Sequence, residues 1–320
     1  MKRNTHGLGT RPLVEGALLA ALAVALVLLG FYVPLLEPLV LFFWPVPITV
    51  IHLRHGLRAA LLTLAVAVLA LATFIGPLQA LLTGSTLGLT GLAFGVSLRR
   101  GFKASITLLV AALTFVATTL IMLGVSFFVL GINPLEQLAR VMQQSMEMSA
   151  GLYRGLGVDP GALEGAMRMA GQSLDLLRVA FPVLIILASF GHAFINYQVM
   201  RGVLRRLGYD LPSFPPFARW RLPRSLALGF LAGFLFLAWQ PGNPVAVNLY
   251  VFFSTVLLVQ GLAVAYYFLG RLKLPRWLAV FLLVYGLMVP LLNQLVVWLG
   301  VADMIADYRR LASGEQGGSG

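Results

Sequence analysis

The stretch 133-NPLEQLARVMQQSMEMSAGLYRGLGVDPGALEGAMRMAGQSLDLLR-178 decides how the chain is read, because it is the only long segment with the composition of a water-soluble protein. Asn133, Pro134 and Glu136 spell a helix start: a capping side chain, a proline at the first helical position and an acid at the third. Leu135, Leu138, Met142, Met146, Ser149, Tyr153 and Leu156 follow at helical spacing. After a break at Gly157, Asp159, Pro160 and Gly161, the pattern resumes with Leu163, Met167, Ala170, Leu174 and Leu177. This predicts two amphipathic helices outside the bilayer. Met142, Met146, Met148, Met167 and Met169 give the hairpin a soft, adaptable apolar face. Such a hairpin rests on the outer leaflet or folds over the bundle; the functional alternatives are a lid over a ligand cavity or a docking surface.

Outward from this segment the sequence is oil. Of the 320 residues, 59% are hydrophobic and 11% charged, against about a quarter charged in an ordinary globular domain. A run of about 18 apolar residues suffices to cross a hydrocarbon core of about 30 Å as a helix. Nine candidate spans are predicted, near residues 13–31, 33–52, 58–76, 78–98, 104–132, 179–200, 224–240, 245–269 and 276–300. The expected fold is therefore an all-α, polytopic membrane helical bundle. Its expected parts are spans one to five in 1–132, the outer hairpin in 133–178, span six with a basic loop in 179–223, spans seven to nine in 224–302, and a flexible tail in 303–320. The first span follows Lys2, Arg3 and Arg11 but is longer than a signal-peptide core and lacks a cleavage site, so it reads as a retained helix.

Orientation comes from Lys and Arg, which are held on the cytoplasmic side of short loops. With the N-terminus inside, the inner segments hold 17 of the 23 basic residues, and only Glu15 and Asp210 oppose them. Six basic residues and nine acids fall outside, so the inner balance of +15 and the outer balance of −3 account for the net +12. Nine crossings put the C-terminus outside. In a soluble protein a charge of +12 would suggest nucleic acid; here no nucleic-acid partner is needed, because the surplus is a topology signal and a contact for anionic lipid headgroups at cytoplasmic loops. The expected location is the bacterial cytoplasmic membrane, with the bilayer as the first partner.

Several groups stand out within the spans. Ala17, Ala21 and Ala25 recur every fourth residue on the first span, a stripe that lets another helix approach, either within this chain or from a partner. Gly84, Gly88, Gly91 and Gly95 share one face of the fourth span, which reads as a packing seam or, in a sharper version, as a ligand-lining wall beside Thr83, Ser85, Thr86 and Thr90. Glu37, in the turn after the first span, is an acid close to the apolar zone and a candidate ligand contact. Trp44-Pro45-Val46-Pro47 breaks or kinks the second span. His192 and Asn196 lie one turn apart on the sixth span, as a satisfied polar pair or a ligand site. The basic loop after it, with Arg205, Arg206, Arg219, Arg221 and Arg224 among Phe214, Phe217 and Trp220, reads as an interfacial anchor or docking surface. His52 and His55 have metal-like spacing but no third ligand nearby, so no metal is expected.

Missing motifs narrow the chemistry. There is no cysteine, hence no disulfide or thiolate site. No P-loop motif and no H-E-x-x-H occur, so neither ATP hydrolysis of that kind nor a common zinc protease is encoded. Ser85 and His192 match the order of an intramembrane serine protease, but the residues around them do not. No catalytic residues and no cofactor are expected.

The small-residue first span, Pro45 and Pro47, His55-Gly56-Leu57-Arg58, the glycine-rich fourth span ending in Arg99-Arg100, and the basic segment after the sixth span together resemble the YybS-like family of bacterial membrane proteins. The first six spans also resemble the substrate-capture subunits of energy-coupling factor transporters, which have six helices and no ATPase. That resemblance implies that Ala17, Ala21 and Ala25 dock a coupling subunit and that the ligand pocket opens outward beneath the loop carrying Glu37. The hairpin at 133–178 and the three last spans depart from it. The expected function is a permease-like or ligand-binding transport component that captures a small molecule from outside, with Glu37, Thr83, Thr86, Thr90, His192 and Asn196 as candidate ligand contacts. The alternative is a scaffold that docks partners through the outer hairpin and the Arg-rich inner loop.

Overall fold

Prolines and glycines punctuate this chain, and the helices start and stop where they fall. In the computed structural model, which describes residues 9–156, 159–272 and 274–309, every regular element is helical. α1 (Thr10–Tyr32) ends in a short 3-10 turn at Pro34–Leu36; α2 (Glu37–Phe43) and α3 (Pro45–His55) follow, divided at Trp44. Next come α4 (Leu57–Ile75), α5 (Pro77–Arg99), α6 (Ala104–Phe128), α7 (Pro134–Gly155) and α8 (Pro160–Arg206). α9 (Ser225–Trp239), α10 (Pro244–Arg271), α11 (Arg276–Met288) and α12 (Pro290–Ala306) complete the chain. α4, α5, α7, α10 and α12 each take Pro or follow Gly at their start, where a missing N–H or a positive φ costs little. Gly56 (φ 86°) turns α3 into α4, and a Cβ there would also meet Arg99 Nη1 at 2.7 Å.

The all-α expectation holds; where nine spans were expected, length and composition pick out six to seven candidates. Among the described residues six helices are long and apolar enough to cross a membrane (α1, α4, α5, α6, α8 and α10), and α11 with α12 makes a seventh if a pair bent by 109° is taken together. The second expected span is two pieces of 7 and 11 residues, and α9 has 15. At 1.5 Å per residue none of these three matches a core of about 30 Å.

The chain divides into two units, one of residues 1–145 with 185–213 and one of residues 146–184 with 214–320. In the first, α5 packs on α3, α4 and α6, and α1 on α3 and α4. The glycine face of α5 is the seam. A Cβ at Gly84 or Gly88 would strike Val68 or Leu64 of α4, and one at Gly91 or Gly95 would lie 2.7 Å from the Pro45 carbonyl or 2.8 Å from His52 Cβ of α3. Trp44 is fully buried where the second span breaks, and its Nε1 donates to the Ala23 carbonyl of α1 at 2.6 Å.

In the second unit, α9 and α10 are antiparallel, and α10 and α12 run in the same direction. The parallel register shows in Tyr250–Gln294 and Gln260–Asp303. Gly261 and Gly300 let these two backbones touch: a Cβ on either would fall on the carbonyl of Val296 or Leu257. Because α12 follows α10 instead of opposing it, the chain returns to residues 218–222, where Arg309 donates to the Ala218 and Trp220 carbonyls, each at 2.7 Å. The expectation that residues 201–224 and the segment after 302 lie on opposite sides is thereby corrected for 303–309. These residues are also no flexible tail, since Asp303 and Arg309 are buried. The rest of the expected tail, 310–320, lies outside the described residues, as do Lys2, Arg3, Gly157 and Lys273.

α7 and α8 start where the sequence places helix starts. Asn133 Oδ1 accepts from Leu135 N at 3.1 Å, and Asn133 Nδ2 donates to Glu136 Oε1 at 3.1 Å; Asp159 Oδ2 accepts from Ala162 N at 2.9 Å. The end of the hairpin differs. No break occurs at 178/179, because α8 runs 47 residues through Pro182. Pro182 disturbs the local ladder, and Asn248 of α10 bridges the gap: its Oδ1 accepts from Val183 N at 3.0 Å and its Nδ2 donates to Val179 O at 2.7 Å.

Candidate functional site

Three of the six candidate ligand contacts meet around one cavity. At the end of the first unit where α1 finishes and α5 begins, a space of about 410 Å³ is lined by residues of α1, α2, α4, α5 and α6 with the 3-10 turn after α1, among them Glu37, Gln79, Thr83 and Thr86. That volume is in the range of small-molecule sites. The walls are apolar, formed by Val27, Val40, Leu41, Ile75, Leu82, Leu87 and Met122, with Phe31 at the rim. Polar groups are few, which suits orientation of a ligand whose bulk is apolar.

Local sequence explains how the polar groups arrive there. Pro34 and Pro38 stop α1 from continuing and restart the chain as α2, placing Glu37 in its first turn, where a carboxylate also favours the helix dipole. On α5 the glycines occupy the face against α3 and α4, so Thr83 and Thr86 fall on the flank toward the cavity. Thr86 returns its hydroxyl proton to the Leu82 carbonyl at 3.0 Å and still offers oxygen lone pairs. Glu37 makes no ion pair and Thr83 no side-chain hydrogen bond among the described residues.

The other three candidates are elsewhere. Thr90 is fully buried, and its hydroxyl donates to the Thr86 carbonyl at 2.7 Å. His192 and Asn196 do not bond through their side chains as a pair: Asn196 Nδ2 donates to the His192 backbone carbonyl at 3.1 Å. The His192 ring stands edge-on to Phe115 at 4.1 Å between centroids and lies 5.3 Å from Phe42. His192 Nε2 and Asn196 Oδ1 are buried without a protein partner, and α8 contributes nothing to the cavity lining. Ala17, Ala21 and Ala25 face outward, while Gly16, Ala20 and Ala23 form the buried side of α1.

Two polar clusters were not visible in the sequence. Glu15 gathers Arg11 at 3.1 Å, Arg54 at 3.2 Å and His55 at 3.0 Å, tying α1 to the end of α3 and raising the Arg54 guanidinium above its ordinary value. In the second unit, Asp303 accepts from Gln260 Nε2 at 2.8 Å and from Arg309 Nη2 at 2.9 Å and Nε at 3.3 Å. Gln260 Oε1 accepts from Leu222 N at 3.1 Å. Gln260 in an otherwise apolar helix was a usable signal; nothing local connects it to residues more than forty positions away. No group of three His, Cys, Asp or Glu able to hold a metal occurs among the described residues.

Comparison with known proteins agrees with the fold. No solved structure matches the chain. The protein YybS of Bacillus subtilis (strain 168), described as uncharacterized, is 25% identical over 300 residues, covering 92% of this chain and 96% of that protein. Residues 21–304 match the family described as Predicted membrane protein (DUF2232), so the chain, a multi-helix integral membrane protein by its own architecture, belongs to that YybS-like family.

Proposed function

We propose that the protein is the ligand-capturing component of a transport system in the bacterial cytoplasmic membrane, binding a small molecule in the cavity above α5. The observation that carries this reading is the convergence of Glu37, Thr83 and Thr86 on one space of about 410 Å³ with apolar walls. A pocket of this kind is the default binding-site hypothesis. In this reading the chain performs no catalytic step and supplies no energy. The outward-facing Ala17, Ala21 and Ala25 are available to a partner helix, which suits the resemblance to substrate-capture subunits and a coupling-factor partner. The basic loops face the cytosol and anionic lipid, and the cavity faces outward.

The test is thermal unfolding of the purified protein against a panel of small metabolites. A ligand that raises the midpoint for wild type and loses its effect in both Glu37→Gln and Thr83→Val supports capture at this site. No stabilising ligand, or one whose effect survives both substitutions, overturns it. Ala17→Leu/Ala21→Leu should release a co-purifying coupling subunit without altering the ligand shift.

A second reading, a scaffold that docks partners through the outer hairpin, is favoured by exposure of Met148, Leu152 and Met169 at 71%, 66% and 70%. Deleting 135–155 would then abolish a partner interaction and leave ligand stabilisation intact.

A further inference from the structure

The cavity of the first unit holds one charge and nothing to cancel it. Among the described residues Glu37 is the only ionisable group in its lining, and Gln79, Thr83 and Thr86 are the other polar side chains there. The wall helices keep their bases at the opposite end: α2 and α6 have none, and those of α1, α4 and α5 are Arg11, Arg58 and Arg99. Along its own helix the nearest of these to a lining residue is Arg99, about 18 Å from Leu87 at 1.5 Å per residue. That exceeds a Debye length of about 10 Å.

The hydrogen-bonding groups call for protons as well. Thr86 spends its hydroxyl proton on the Leu82 carbonyl at 3.0 Å, so it turns only lone pairs toward a ligand. An ionised Glu37 likewise accepts and cannot donate, while Thr83 and Gln79 can serve either way. A ligand carboxylate would thus place two like charges between apolar walls. A quaternary ammonium would bring charge but no N–H for Thr86. A bare metal ion would leave most of about 410 Å³ unfilled, against about 30 Å³ for a water molecule.

We infer that the captured molecule is an organic amine, protonated at neutral pH, on an apolar body. Its ammonium donates to Glu37 and to Thr86 Oγ1, and its body lies against Val27, Val40 and Leu82. This assignment rests on the capture reading of the same cavity and adds the chemical class of the ligand.

Equilibrium dialysis of the full chain in micelles, with protein-free micelles as blank, tests it with three probes that share an indole ring on a two-carbon arm: tryptamine, indole-3-ethanol and indole-3-propionate. Wild type should bind tryptamine roughly tenfold tighter than indole-3-ethanol, the step expected of a hydrogen bond to a charged group, and indole-3-propionate most weakly. Glu37 is exposed, so substitutions there leave the fold in place. Glu37→Gln should level tryptamine with indole-3-ethanol, and Glu37→Lys should put indole-3-propionate ahead of tryptamine. Thr83→Phe fills the cavity flank and should weaken all three. Binding that Thr83→Phe removes but that ignores charge, or favours the carboxylate, overturns the amine class and leaves capture standing. An amine preference that survives both substitutions of Glu37 overturns the role of this carboxylate. Binding of none of the probes overturns capture and class together.

Discussion

The Asp303 cluster and the Glu37 cavity both place a carboxylate against apolar helices, and they differ in what surrounds it. Asp303 is 4% exposed, with a guanidinium and an amide on its oxygens, and Arg309 and Gln260 spend their remaining groups on the backbone of residues 218–222. Glu37 lines the cavity together with Thr83, with no ion pair among the described residues. A polar cluster that satisfies itself is a clasp; one that leaves its acceptors open is a place for something else to bind. The difference sets a stability role in the second unit against the recognition role proposed for the first.

The sharpest way to break this contrast is Asp303→Ala. It strands the Arg309 guanidinium in a buried site and should cost about 3–5 kcal/mol, read as a loss of chemical-denaturation stability in detergent. Adding Arg309→Met should recover a good part of it, because removal of both charges is far less costly than removal of one. A loss under about 1 kcal/mol for the single variant would mean that the clasp is solvated.

Next is the wall that the cavity shares with the seam. Gly88→Leu pushes α5 against Leu64 of α4 and should cost about 1–3 kcal/mol by overpacking, whereas Thr83→Val on the cavity flank should change stability little. If both destabilise alike in thermal unfolding, the threonine flank is packed and no cavity is open there.

How far each region was legible follows from the range of its interactions. The start of α7 was readable because Asn133 and Glu136 act within three residues, and the α5 seam because four glycines repeat on one helical face. Glu37, Thr83 and Thr86 stood out as polar exceptions in apolar spans, although their meeting depends on how α1, α2 and α5 pack. What stayed hidden was set at long range. The hairpin and the sixth span were expected to part at 178/179, yet α8 continues through Pro182, where an amide 65 residues away takes over backbone groups. Arg309 counted as an outer charge until its carbonyl partners placed it beside Ala218 and Trp220. Asn248→Ala should thus cost about 1–3 kcal/mol for the backbone groups left unpaired and raise hydrogen exchange around Val183. Unchanged exchange there would show that water replaces the amide.

The smallest stability effect belongs to Glu37→Gln, and its smallness is informative. The side chain is exposed at the first turn of α2 and pairs with no base, so what the fold loses is a favourable helix-dipole contact of about 0.3–1 kcal/mol. A residue held for structure would show its largest effect in unfolding; one held for recognition shows it in ligand binding while unfolding barely moves. Thermal midpoints with and without a stabilising ligand read both quantities from one sample. A destabilisation beyond about 2 kcal/mol without ligand would put Glu37 in the same class as Asp303, and the contrast between clasp and cavity would disappear.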